Sequence, residues 1–142
     1  MSQPWGQGGI SIKTNFCVER FKDAVKSLKT LGAILEEDFS AIVRDAAIQR
    51  FKYTFEAVWK FLKEYLKEKE GIVCNSPKAC FREIFSLGFL SEDDAGAFLE
   101  MTDRRNDTSH TYKEEVAQVI YAKIKGYFLL MDTLIKKITD KI

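Results

Sequence analysis

The segment Asp103-Arg104-Arg105-Asn106-Asp107-Thr108-Ser109-His110-Thr111-Tyr112 gathers the chain's only histidine with two arginines, an asparagine, hydroxyl side chains and a tyrosine. An imidazole whose ordinary pKa is about 6.5 can move protons near neutral pH. A guanidinium offers a planar fork that matches two phosphate oxygens. Together, Arg105 and His110 would suffice to cleave RNA without a metal. The RNA 2′-hydroxyl would attack its own phosphate, His110 would carry protons, and Arg105 would stabilise the charge on the phosphorane.

Spacing alone does not bring the pair together. In a continuous helix Arg105 and His110 would sit about 140° apart at 3.6 residues per turn. Asn106–Ser109 are poor helix-interior residues, and a bend there would turn both side chains into one cleft. Ordinary roles also fit each residue. A lone histidine near a helix start serves as a solvated or capping group, and Tyr112 suits first-turn packing. Arg104 and Arg105 both suit a helix C-terminus, where the helix dipole favours cations, and their adjacency leaves open which one acts.

The elements that must position this segment are helical. Within 142 residues the chain is 46% hydrophobic and 30% charged, which fits one folded domain. It holds 11 phenylalanines but only 2 prolines, leaving room for long uninterrupted helices. A first helix is expected over about Thr14–Leu35, with Cys17, Phe21, Ala24, Leu28 and Leu31 at three- and four-residue steps. A second runs from about Ala41 to Glu70, after a cap at Asp38 or Ser40, with Phe51, Phe55, Val58, Trp59, Leu62 and Leu66 as its apolar stripe. Gly71 suits its left-handed stop. At helical spacing, Phe51–Phe55–Trp59 reads as core rather than as a base-stacking platform.

Ser76-Pro77 opens a third, shorter helix with Cys80, Ile84 and Phe85 inward, and Gly88 closes it. Ser91 ahead of Glu92-Asp93-Asp94 opens a fourth, with Ala95, Phe98, Leu99 and Thr102 on its buried side. A final helix is expected from Tyr112, where Thr111 and Glu114 form a capping-box pattern. No segment alternates with the period of a strand. The fold class is all-α: an antiparallel up-and-down bundle of about five helices, three long and two short. Residues 1–12 read as a flexible N-terminal arm and 13–142 as the bundle domain.

Net charge is +1, from 22 basic and 21 acidic residues, so any nucleic-acid binding must come from a local patch. Arg44 and Arg50 on the second helix, with Arg104, are candidates for such nucleotide or RNA contacts. Cys74 and Cys80 enclose five residues, which is no zinc spacing, and with Cys17 they make an odd set. Reduced thiols and no metal or cofactor are expected. The first residues lack the basic and apolar regions of a signal peptide, and no stretch reaches the ~18 apolar residues of a membrane span. A cytoplasmic protein without membrane contact is the expectation.

Arg105-Asn106-Asp107-Thr108-Ser109-His110-Thr111-Tyr112 resembles the signature of the HEPN (higher eukaryotes and prokaryotes nucleotide-binding) family: Arg, four residues, His, any residue, Tyr. The stretch from Arg44 to Lys60 is similar to the long helix of that family's nucleotidyltransferase substrate-binding branch. Ser76-Pro77 and Arg82-Glu83 fit the same branch. The resemblance spans roughly residues 14–140 and implies a bundle, usually a homodimer with the motifs of both protomers in one cleft. It implies Arg105 and His110 as catalytic, Asn106 as a polar supporter and Tyr112 as a modification site. It also implies a toxin-type, metal-independent RNase acting on RNA and controlled by a separate minimal nucleotidyltransferase that attaches AMP to the tyrosine. The alternative is a non-catalytic subunit that holds substrate for a transferase.

Overall fold

The computed structural model describes residues 12–141, with side chains from Phe16 to Asp140. Five helices follow in order: α1 (Ile12–Leu35), α2 (Ala41–Tyr65), α3 (Pro77–Ser86), α4 (Glu92–Asn106) and α5 (Glu114–Lys141). Among the described residues there is no strand. α1, α2 and α5 are the three long helices, and α3 and α4 the two short ones. Residues 1–11 of the expected arm lie outside the described residues, and Ile12 already belongs to α1.

Serine hydroxyls set three of the helix starts. Ser40 accepts from the Val43 amide at 3.1 Å, Ser76 from Ala79 at 3.2 Å and Ser91 from Asp94 at 3.1 Å. Each satisfies an amide that has no partner within its helix. Pro77 occupies the first turn of α3, where its missing N–H costs nothing. α2 ends in a single π-helical turn, Leu66–Glu70, and Gly71 stops it at φ 67°. Gly88 makes the corresponding turn after α3 at φ 87°.

α1 runs antiparallel to α2: Phe21 meets Phe61 edge-on, and Thr54 donates to the Ser27 carbonyl at 3.1 Å. α2 and α5 run in the same direction, with Phe51 stacked on Tyr127 at 5.8 Å. Phe81 of α3 then bridges Phe55 of α2 (5.9 Å) and Phe98 of α4 (4.8 Å). Those three rings are at most 1% exposed. Each such ring contributes a few kcal/mol through burial and fixes where α4, and hence its C-terminal arginines, must end.

Four expectations need correction. Phe85 is 42% exposed, and Phe81 takes its place, because the buried stripe of α3 is Cys80, Phe81 and Ile84. Along α4 the buried side is Phe98, Met101 and Thr102, while Ala95 and Leu99 are only partly covered. The final helix starts at Glu114, not Tyr112, because Thr111 turns its hydroxyl back to the Thr108 carbonyl at 3.3 Å instead of capping forward. Cys74 and Cys80 are joined as a disulfide, with Cα atoms 5.4 Å apart. The Ser76-Pro77 turn folds the short connection back on itself, a closure that spacing arithmetic directed at metal ligands does not detect. Cys17 is a free, buried thiol.

Candidate functional site at the α4–α5 bend

α4 does not continue into α5. After Asn106 the chain tightens into one 3₁₀ turn, Asp107–His110. Side-chain hydroxyls account for the change: Thr108 donates to the Arg105 carbonyl at 2.7 Å and Ser109 to the Asn106 carbonyl at 3.3 Å. Hydroxyls bonded back to the preceding turn compete with the helical ladder, so the break falls on the residues expected to bend. Thr108 is buried beneath the turn.

The sequence-derived residues divide into two groups around this bend. Arg105 leaves the last turn of α4 and meets Glu56 of α2, Nε to Oε2, at 2.7 Å. The same glutamate accepts from Trp59 Nε1 at 3.2 Å. Holding Arg105 by Nε leaves its terminal nitrogens available for an anion. His110 is exposed at the end of the 3₁₀ turn, and its nitrogens have no hydrogen-bond partner among the described residues. Its ring meets Tyr112 edge-on at 6.1 Å. Tyr112 is 77% exposed and lies in the turn before α5. Asn106 is exposed, and no contact between Arg105 and His110 side chains is formed among the described residues.

Arg104 turns the other way. Its Nε lies 3.1 Å from Asp107 Oδ2 but is buried without a well-directed hydrogen bond. That ion pair and its direction separate it from Arg105. The neighbouring Asp103 bonds Lys78 of α3 at 2.8 Å, which holds its carboxyl below the usual aspartate range.

Arg44, at the start of α2, is 9% exposed. Its Nη1 donates to Glu114 at 2.5 Å and its Nε to Asp45 at 3.1 Å. The bond from Arg44 holds the Glu114 carboxyl below its ordinary range, and the two carboxylates hold the guanidinium above its own. This clamp ties the first turns of α2 and α5 together and walls a polar cavity of about 430 Å³. Ile48, Gln49, Thr111 and Tyr112 complete the lining. Arg50 faces elsewhere, into a smaller cavity of about 250 Å³ shared with Asp23, Lys26 and Tyr53. Arg44 is therefore brought to the bend and Arg50 is not. Glu56 and Gln49 were not singled out from sequence, where they read as ordinary helix-surface residues, and Glu114 was read only as the capping-box partner of Thr111; only the packing of α2 against α4 and α5 gives them these partners or a cavity.

Residues 18–140 match the family described as nucleotidyltransferase substrate binding protein like. The chain belongs to this family. It is also similar to the probable ribonuclease HepT of Haemophilus influenzae, 28% identical over 109 residues, which cover 71% of this chain and 73% of the relative. A crystal structure of a Thermus thermophilus protein superposes with a TM-score of 0.75 at 46% identity, over 78% of this chain and 94% of that one. A chain from a crystal structure of a mutant of the toxin–antitoxin MntA-HpeT superposes with a TM-score of 0.72 at 8% identity. That match covers 89% of this chain and 98% of the other, and it carries the fold alone. The resemblance to the substrate-binding branch of the HEPN proteins thus holds at the level of family and fold. No described helix is long and apolar enough to cross a membrane.

Proposed function

We propose that this protein is a HEPN-type, metal-independent endoribonuclease, the toxin of a pair whose second member is a minimal nucleotidyltransferase. The observation that carries the reading is the bend itself. An exposed His110, whose nitrogens have no hydrogen-bond partner among the described residues, lies two residues from an exposed Tyr112, and Arg105 is fixed by Glu56 in the last turn of α4, just before the bend. The similarity to a probable ribonuclease HepT supports it.

In this mechanism His110 takes the proton from an RNA 2′-hydroxyl. The 2′-oxygen forms a bond to the adjacent phosphorus, and the bond to the 5′-oxygen breaks. A proton goes to that leaving oxygen, giving a 2′,3′-cyclic phosphate and a 5′-hydroxyl. The terminal nitrogens of Arg105 stabilise the phosphorane charge, while Asn106 supports the turn. A homodimer would bring two such bends to one cleft, so that one His110 removes a proton while the other supplies one. The partner transferase would attach AMP to the Tyr112 oxygen, placing negative charge and bulk in the path of the RNA phosphate. The 77% exposure of that ring leaves it open to an enzyme.

Purified protein should therefore cleave RNA in the presence of EDTA, and His110→Ala and Arg105→Ala should each abolish cleavage with helical circular dichroism unchanged. Coexpression with a partner minimal nucleotidyltransferase should add AMP mass that Tyr112→Phe loses. Equal cleavage by wild type and both variants would refute the catalytic assignment and favour the non-catalytic substrate-binding subunit.

A further inference from the structure

The cavity between the first turns of α2 and α5 has chemistry that the cleavage reaction does not use. At about 430 Å³ it is large enough for a nucleoside. Its floor is Arg44, which is already committed to two carboxylates. Asp45 and Glu114 each spend one oxygen on that arginine, and the second oxygen of each makes no hydrogen bond among the described residues. Gln49, on the next turn of α2, has an amide with no partner of its own among the described residues. Tyr112 supplies an exposed aromatic face at the rim.

This combination selects among bases. A glutamine amide pairs in two-point fashion with adenine, accepting from N6 and donating to N7. The spare carboxylate oxygens accept from an exocyclic amine or from ribose hydroxyls, and a tyrosine face stacks on a purine. Uracil has no exocyclic amine to offer the acceptors. Two carboxylates face the single guanidinium of Arg44, so the local charge disfavours a phosphate in the cavity and leaves that group to the bend outside.

We infer that this cavity is an adenine-binding subsite, with Gln49 as its specificity-determining residue. The inference rests on the proposed function for the source of the adenine, which is either the RNA base beside the scissile phosphate or the AMP attached to Tyr112. In both cases the phosphate would lie at the rim, toward His110, and the base would lie inside.

The test begins with free nucleosides on the full chain, followed by amide chemical shifts. Adenosine should give saturable shifts at Gln49, Asp45 and Thr111 and bind roughly fivefold or more tightly than uridine. Gln49→Leu, folded by circular dichroism, should lose that preference, and Gln49→Glu should alter it. Equal shifts from adenosine and uridine, or no saturation at millimolar adenosine, would overturn the subsite. Two further arms identify the source. Adenine enrichment beside the cut in mixed-sequence RNA, lost in Gln49→Leu, assigns the cavity to the substrate. Adenosine-like shifts in the Tyr112-adenylylated chain, with no further response to free adenosine, assign it to the modification. A chain that binds adenosine but neither cuts RNA nor gains AMP would refute the activity and uphold the subsite, whereas cleavage without adenosine preference would do the reverse.

Discussion

Replacing Glu56 with alanine should separate the positioning of Arg105 from its chemistry. The Arg105–Glu56 side chains are 25% and 31% exposed and meet at 2.7 Å, so the pair lies between a sheltered charged hydrogen bond and a surface ion pair. Bonds of the first kind contribute about 1.5–3 kcal/mol and exposed pairs about 0–1 kcal/mol. With the Trp59 bond also lost, a cost of about 1.5 kcal/mol is expected. For a domain of this size that is a fall in Tm of roughly 5 °C. The larger effect should be kinetic, because a displacement of about 1 Å at a phosphate-binding group can cost on the order of 100-fold. We predict a drop in RNA cleavage of roughly 10- to 100-fold, mainly in kcat, for Glu56→Ala. Glu56→Gln, which keeps an acceptor, should lose less. The assay pairs thermal denaturation with single-turnover cleavage of one defined RNA. A destabilised Glu56→Ala protein that cleaves at the wild-type rate would refute the view that this ion pair orients Arg105.

Two further predictions concern stability. Glu114, Asp103 and Glu100 have carboxyls held below their ordinary ranges by hydrogen bonds from Arg44, Lys78 and Tyr127, respectively. Depressed folded-state values mean that their contribution is complete above the unfolded values, near 4.5 for glutamate and 3.8 for aspartate, and is lost as pH falls through the lower folded ones. Tm should therefore drop as pH falls below about 4.5, and less steeply in Glu114→Gln, as measured by circular dichroism melts across roughly pH 2–6. Reducing the Cys74–Cys80 disulfide, whose cysteines are 6 positions apart, should cost roughly 2 kcal/mol by loop-closure entropy. A melt with and without dithiothreitol checks this, and Cys74→Ser should remove the difference.

The long helices were legible because each carries an apolar stripe at helical spacing, and the serine caps because the side chain and the amide it satisfies are three residues apart. Those are local signals. The disulfide, the start of α5 and the inward face of α3 depended on how short segments turn, where one hydroxyl or one residue of register decides the result. At the site, the poor helix formers Asn106–Ser109 marked the bend, and hydroxyl-to-carbonyl bonds explain it there. Nothing local could show that Arg105 pairs with Glu56, 49 positions away, or that Arg44 reaches Glu114, 70 positions away. Arg104 and Arg105 are adjacent and chemically equivalent in sequence; helical rotation of about 100° per residue parts their side chains, and the packing of α4 on α2 is what puts Glu56 within reach of Arg105. The composition, close to neutral, carried no information about an RNA-binding face.

The most direct test of the proposed function is the chemistry of the cut ends. Wild-type protein in EDTA should convert a defined RNA to products with 2′,3′-cyclic phosphate and 5′-hydroxyl termini, and should fail on the same strand carrying a 2′-deoxy nucleotide at the cut. Cleavage of the 2′-deoxy strand at the same position, or products bearing 5′-phosphate, would contradict the account, since neither can arise from attack by the 2′-oxygen under His110 and Arg105.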